Sequence, residues 1–151
     1  MKRWLTPAEE QAWRRYRRMR TLLDLQISRD LKTESDLSEA DYDVLSTLSE
    51  SRDNAWRARE LAARLLWSTS RLAHQAGRME RRGLVTRAGV EGDGRGATIA
   101  LTEKGLHVLR AAAPLHVASV RRHIVDVLSP SDVKALDRIA SKVVAHLSVL
   151  H

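Results

Sequence analysis

Residues 67–102 read WSTSRLAHQAGRMERRGLVTRAGVEGDGRGATIALT and divide into four pieces. Ser68 has an oxygen suited to cap the helix that follows, which runs from Thr69 to about Arg82, and Gly83 is suited to a left-handed C-terminal position. Leu72, Ala76 and Met79 recur at helical spacing and form an inner stripe. By the same geometry Ser70, Arg71, His74, Gln75 and Arg78 share the outer face. Leu84–Ala88 has strand character, Gly89–Gly96 has the composition of a flexible loop, and Ala97–Leu101 alternates enough to return as a second strand.

Immediately upstream, Ser38-Glu39-Ala40-Asp41 is a helix start signal, and Tyr42, Val44, Leu45 and Leu48 follow it, predicting a helix from Glu39 to about Ser51. Arg52-Asp53-Asn54 breaks it. A short helix from Arg57 to Leu66 places Leu61, Ala62, Leu65 and Leu66 inward and ends at the polar triplet Ser68-Thr69-Ser70. Two short helices joined by a tight polar turn and followed by a hairpin spell a helix-turn-helix with a wing.

Further out, Thr6-Pro7-Ala8-Glu9 starts a helix that reaches about Leu31. Ala12, Trp13, Tyr16, Met19, Leu23 and Ile27 mark one face of it, and Arg14, Arg15, Arg17, Arg18 and Arg20 occupy the other sides, as a solvated face or a polyanion contact. A long helix beginning at Thr102-Glu103-Lys104-Gly105 carries apolar residues as far as Leu128, with Pro114 inside it. The last helix opens at Ser129-Pro130-Ser131-Asp132 and repeats Val133, Leu136, Ile139, Val143, Leu147 and Leu150 near heptad spacing.

The predicted fold class is therefore mainly α: a winged helix-turn-helix with a small β-hairpin wing, flanked by N- and C-terminal dimerisation helices. Residues 1–36 and 103–151 form the helical dimerisation region. Residues 37–102 form the DNA-binding region, with the recognition helix at about 69–82 and the wing at about 84–101, in one intertwined unit. The terminal helices carry more apolar surface than so small a core can cover, so pairing with a second copy as a homodimer is the simplest way to bury it.

At 151 residues the chain suits one domain with dimerising helices. Its 26 Lys and Arg against 19 Asp and Glu give a formal charge of +7, which favours a polyanionic partner through counterion release. The absence of cysteine excludes disulfides, thiolate metal sites and thiol nucleophiles. No apolar run approaches the ~20 residues needed to span a bilayer, and the N-terminus lacks a signal-peptide core, so no membrane partner and a cytoplasmic location are expected. His116 and His123 lie seven apart without a carboxylate at ligand spacing, so no metal and no cofactor is expected. Phosphate-cradling and zinc-hydrolase motifs and a local Ser, His and Asp set are all missing, which argues against an enzyme.

Double-stranded DNA is the partner this layout fits. A helix enters the major groove, where Arg pairs with guanine and Gln with adenine through two hydrogen bonds at once, and Arg71, His74, Gln75 and Arg78 offer the donors and acceptors. Ser68, Thr69 and Ser70, with the amides of the helix start, suit phosphate contacts that set register. Arg95 at the glycine-rich hairpin tip suits the narrow minor groove, and Asp93 suits an ion pair that steadies it. An architectural DNA binder with little sequence preference, or an interaction module without DNA binding, would use the same fold.

The runs LLWSTSRLAHQAGRMERRGLVTR and DGRGATIALTEKG resemble the MarR family of bacterial transcriptional regulators, including the wing pattern of Asp93, Arg95, Leu101 and Thr102. The resemblance extends over nearly the whole chain and implies a homodimer on a pseudo-palindromic operator, in a regulator that is most often a repressor. It implies base-facing positions for Ser70, Arg71 and His74 and a wing role for Arg95. Gly77 stands where the family usually has Asp. The resemblance also implies release from DNA by a small anionic or aromatic effector, for which Trp13, Tyr16 and His116 are candidate pocket residues.

Overall fold

The helix starts expected at Thr6, Ser38, Ser68, Thr102 and Ser129 are built as side-chain caps, whereas the short helix after Arg57 begins without one. Thr6 Oγ1 accepts the Glu9 amide at 3.2 Å while Glu9 Oε2 accepts that of Thr6 at 2.8 Å. Ser38 and Asp41 exchange the same two bonds at 3.0 Å each, and Ser129 and Asp132 repeat the arrangement. Such reciprocal caps satisfy amides that a helix leaves without partners. The computed structural model describes residues 1–89 and 97–151. In chain order the elements are α1 (Pro7–Ser35), α2 (Glu39–Ser49), β1 (Ala55–Arg57), α3 (Ala58–Leu65), α4 (Thr69–Arg81), β2 (Val85–Ala88), β3 (Thr98–Leu101), α5 (Glu103–His123), a 3₁₀ turn (Val125–Val127) and α6 (Pro130–Ser148).

Two compact units result: residues 28–116, and residues 1–27 with 117–151. The first is wider at both ends than the 37–102 segment marked out by sequence, because the end of α1 and the first part of α5 belong to it. Its core is Leu37, Val44, Leu45, Leu48, Leu61, Ala62, Leu72, Ala76, Met79, Leu84, Val85, Ile99, Leu109 and Ala112. The expected inner stripe of α4 holds, with Leu72, Ala76 and Met79 all essentially inaccessible.

The sheet has three strands in the order β1-β3-β2, all antiparallel, with Trp56 opposite Ile99 and Val85 opposite Leu101. The sequence reading found the β2–β3 hairpin and missed β1. Three residues are too few to show alternation, and β1 exists because β3, some forty residues later, supplies its partner. The break at Arg52-Asp53-Asn54 is realised by Asn54 at φ 54°, a left-handed position that asparagine tolerates.

A second correction concerns Leu66, expected inward and found 80% exposed. It is the C-cap of α3 at φ 56°, where the chain reverses, so its side chain leaves the helical stripe. Trp67 takes the inward position and packs against the core.

The junction after α4 sets the wing root. Gly83, at φ 76°, donates to Glu80 O at 2.9 Å, and Leu84 donates to Met79 O at 3.0 Å, which together make a Schellman C-cap. Thr102 Oγ1 donates to Gly83 O at 2.6 Å and accepts the Gly105 amide at 2.9 Å, so one hydroxyl ties the end of α4 to the start of α5. Lys104 Nζ adds a bond to Arg82 O at 2.8 Å. A Cβ on Gly105 would lie 2.0 Å from Leu84 O, so only glycine lets α5 approach this turn.

α5 continues through Pro114 and ends at His123. The expected run to Leu128 is cut short by the 3₁₀ turn, and α6 then starts on the Ser129 cap. In the helical unit made of residues 1–27 and 117–151, only Ser119 is buried. Trp13, Tyr16, Met19, Leu22 and Leu25 of α1, and Val133, Leu136, Ile139, Val143 and Leu147 of α6, are all exposed. A groove of about 360 Å³ in this unit is lined by Met19, Leu22, Leu23, Gln26, His123 and Ile124.

Candidate nucleic-acid interface

α4 presents the candidate face. Its inner stripe fills the core, so the residues on the opposite side have no route but outward. Ser68, Thr69 and Ser70 are exposed at its N-terminus, and Ser68 Oγ accepts the Arg71 amide at 3.1 Å. The other early amides of the helix and the hydroxyls of Thr69 and Ser70 crown a positive dipole end that suits a phosphate oxygen. Arg71 and His74 are exposed one turn further on. The Arg71 guanidinium lies 4.1 Å from the centroid of the Trp67 ring, a cation–π contact that orients it while leaving its N–H edge available.

Gln75 departs from the expected outer face. It is only 4% exposed, and its Nε2 donates to Asp41 Oδ1 at 2.5 Å. Its Oε1 accepts from Arg78 Nη2 at 2.6 Å. Arg78 itself is exposed. Asp41 is buried as well, and its Oδ2 accepts from Arg82 Nη1 at 2.8 Å and from the Ser38 amide at 3.0 Å. Arg82 also reaches Asp36 O at 2.9 Å. Burial opposes the charge on Asp41, but the Ser38 amide and the Arg82 guanidinium outweigh it and hold the carboxyl below the usual aspartate range. A buried carboxylate is retained because each oxygen has donors.

The wing root is fixed to α4 by Arg87 and Glu80. The Arg87 amide donates to Glu80 Oε2 at 3.1 Å, and its Nη2 and Nε donate to Oε1 at 3.1 and 3.3 Å. These hydrogen bonds hold the Glu80 carboxyl below its ordinary value. The guanidinium crosses above Gly77, where a Cβ would meet Nη2 at 3.6 Å. Arg95 and Asp93, expected at the wing tip, lie outside the described residues.

The effector candidates separate. Trp13 and Tyr16 lie half-exposed on α1 with ring centroids 5.7 Å apart, in the unit of residues 1–27 and 117–151. His116 belongs to the other unit, with its ring 4.3 Å from that of Tyr42 and its Nδ1 buried without a hydrogen-bond partner among the described residues. No group of three or more His, Asp or Glu side chains is placed to hold a metal among the described residues, and no described helix is long and apolar enough to cross a membrane.

Sequence reasoning missed Asp41, Arg82, Trp67, Glu80 and Arg87 as parts of this surface. Asp41 had a visible job as the third residue of a cap, which concealed its second one. The Arg87 and Glu80 pair had a signal, opposite charges on either side of a Gly-centred helix stop, that the reading did not use.

A helix-turn-helix whose second helix exposes a basic face beside an antiparallel hairpin defines a winged-helix DNA-binding domain. A MarR family model matches residues 35–96. AbsC, a MarR family transcriptional regulator from Streptomyces coelicolor, is 44% identical, with a TM-score of 0.90 over 97% of this chain and 99% of that one. Sco3205, a MarR family regulator from the same organism solved in complex with DNA, is 37% identical, with a TM-score of 0.91 over 97% and 92%. The organohalide-sensing regulator RdhR-CbdbA1625 in its 2,4-dichlorophenol-bound form is 18% identical and shares the fold, with a TM-score of 0.80 over 93% and 82%. No curated protein matches in sequence. This chain belongs to the MarR family of transcriptional regulators.

Proposed function

We propose that this protein is a homodimeric, sequence-specific regulator that binds a pseudo-palindromic duplex and acts as a repressor. The observation that carries the reading is the division of α4: Leu72, Ala76 and Met79 are sealed in the core while Arg71, His74 and Arg78 stand exposed. In this reading α4 enters the major groove, with Arg71, His74 and Arg78 at base edges. Ser68, Thr69, Ser70 and the helix-start amides hold phosphates, and Arg95, steadied by Asp93, enters the minor groove. The DNA complex of the 37% identical Sco3205 supports it.

Dimerisation is supported by the exposed apolar faces of α1 and α6, which a second copy would cover. Two-fold symmetry then sets half-sites about one helical turn, ~10 bp, apart. A small anionic or aromatic effector that prefers one dimer geometry would release the DNA, and a relative of this fold has been solved with 2,4-dichlorophenol. The half-exposed rings of Trp13 and Tyr16 suit an aromatic molecule, and the imidazole of His116, in the other unit, suits an anionic one.

Selection of duplexes from a random pool with the purified protein tests the reading. Convergence on two inverted half-sites ~10 bp apart is expected. A pool that stays random contradicts sequence-specific binding and favours an architectural role.

A further inference from the structure

We propose that Gln75 is a positioning residue, an amide relay that transmits the charge of buried Asp41 to the Arg78 guanidinium and presents that arginine to DNA. The inference rests on the DNA-binding reading above. Gln75 sits within a surface helix yet is 4% exposed, and both ends of its amide are engaged: Nε2 donates to Asp41 Oδ1 at 2.5 Å, and Oε1 accepts from Arg78 Nη2 at 2.6 Å. The orientation is fixed by chemistry. Reversed, the amide would set its oxygen against a carboxylate and its NH₂ against a guanidinium, and both contacts would be repulsive.

Each member of the relay depends on the next. Asp41 is anchored on α2 by the Ser38 amide and by Arg82, so it cannot follow Gln75 outward. Gln75 is thereby held on α4 and cannot reach a base edge. Arg78 has a long, rotamer-rich side chain whose ordering upon binding would cost affinity. The bond to Gln75 engages one of its five N–H donors and restricts the guanidinium before DNA arrives, leaving the others to contact a base or phosphate. Arg71, about two turns nearer the helix start, is oriented by a different device, the Trp67 ring. Arg71 and Arg78, two of the exposed arginines of α4, are thus each set by a partner side chain.

The test is a double-mutant cycle on the full-length protein, with the duplex that wild type selects from a random pool as probe. Gln75→Met should weaken binding by about 3- to 10-fold when Arg78 is present, the scale of one lost hydrogen bond. On an Arg78→Ala background the same change should alter affinity by less than about 2-fold. Equal losses in both backgrounds would overturn the relay, because Gln75 would then act independently of Arg78. If Gln75→Met fails to fold, Gln75→Asn takes its place, since it keeps an amide beside Asp41 but is one methylene too short to span both partners. Without DNA, ¹H–¹⁵N spectra should show hindered guanidinium resonances for Arg78 in wild type that are lost in the variant. Freely rotating Arg78 in wild type overturns the relay on its own. Failure to bind any duplex, with Arg78 hindered, overturns the DNA reading and the presentation role, and leaves the amide bridge as a structural link.

Discussion

Arg87 on β2 and Glu80 on α4 are joined by three hydrogen bonds of 3.1 to 3.3 Å, one from the backbone amide and two from the guanidinium. A backbone bond and a side-chain bond to the same carboxylate fix both the position and the direction of the strand that leads into the wing. Both side chains are more than a third exposed, so the pair contributes little to stability. Its consequence is geometric: the hairpin and the recognition helix move together. Glu80→Gln should therefore leave the melting temperature nearly unchanged while weakening DNA binding across many sequences. Measured affinity equal to wild type would show that the wing root needs no such anchor.

The wing tip gives a companion expectation. Arg95→Ala should lower affinity broadly and reduce the slope of log K against log salt by up to about one, the signature of one lost phosphate interaction. An unchanged slope with unchanged affinity removes Arg95 from the interface.

Two glycines should respond in opposite senses. At Gly105 a Cβ would lie 2.0 Å from Leu84 O, a backbone atom held by the Schellman turn, so Gly105→Ala should destabilise by about 1–3 kcal/mol. At Gly77 the nearest atom is Arg87 Nη2 at 3.6 Å, an ordinary contact. Gly77→Ala should stabilise by about 0.5–1 kcal/mol through reduced unfolded-state entropy. Denaturant unfolding of both variants measures the pair, and the same sign of change at the two positions would contradict the packing described.

Asp41 predicts a pH dependence. Its carboxyl is held below the ordinary aspartate value in the folded protein. A depressed folded value means that the stabilisation is complete above the ordinary value and disappears as pH falls through the lowered one. Wild type should therefore lose part of its stability below about pH 4. Asp41→Asn should be less stable by about 1–3 kcal/mol at neutral pH, because a neutral amide cannot accept at both oxygens. It should also show a shallower decline in acid. Melting temperatures from pH 7 down to about pH 3 give both quantities, and parallel curves would contradict the assignment.

Local chemistry was legible in the sequence, and long-range pairing was not. The caps at Thr6, Ser38, Ser68 and Ser129, the Gly83 stop and the Leu72, Ala76, Met79 stripe each depend on residues a few positions apart. Gln75 was misread because its angular position lies at the edge of the stripe, and its fate was decided by Asp41, 34 residues earlier. β1 was invisible because its partner strand lies far along the chain. Leu66 has the composition of a core residue, but a left-handed backbone turns it outward. Arg71 was legible as an exposed donor, whereas its seat on Trp67 required knowing that Leu66 yields the inward position.

The central claim is that the exposed face of α4 reads base pairs. The affinities of wild type and Arg71→Ala for every single-base-pair variant of the selected duplex test it most directly. The account predicts that the substitution erases discrimination worth about 1–3 kcal/mol at one or two base pairs in each half-site and leaves preference elsewhere intact. A loss of affinity uniform over all variants would contradict it, since Arg71 would then touch only the phosphate backbone.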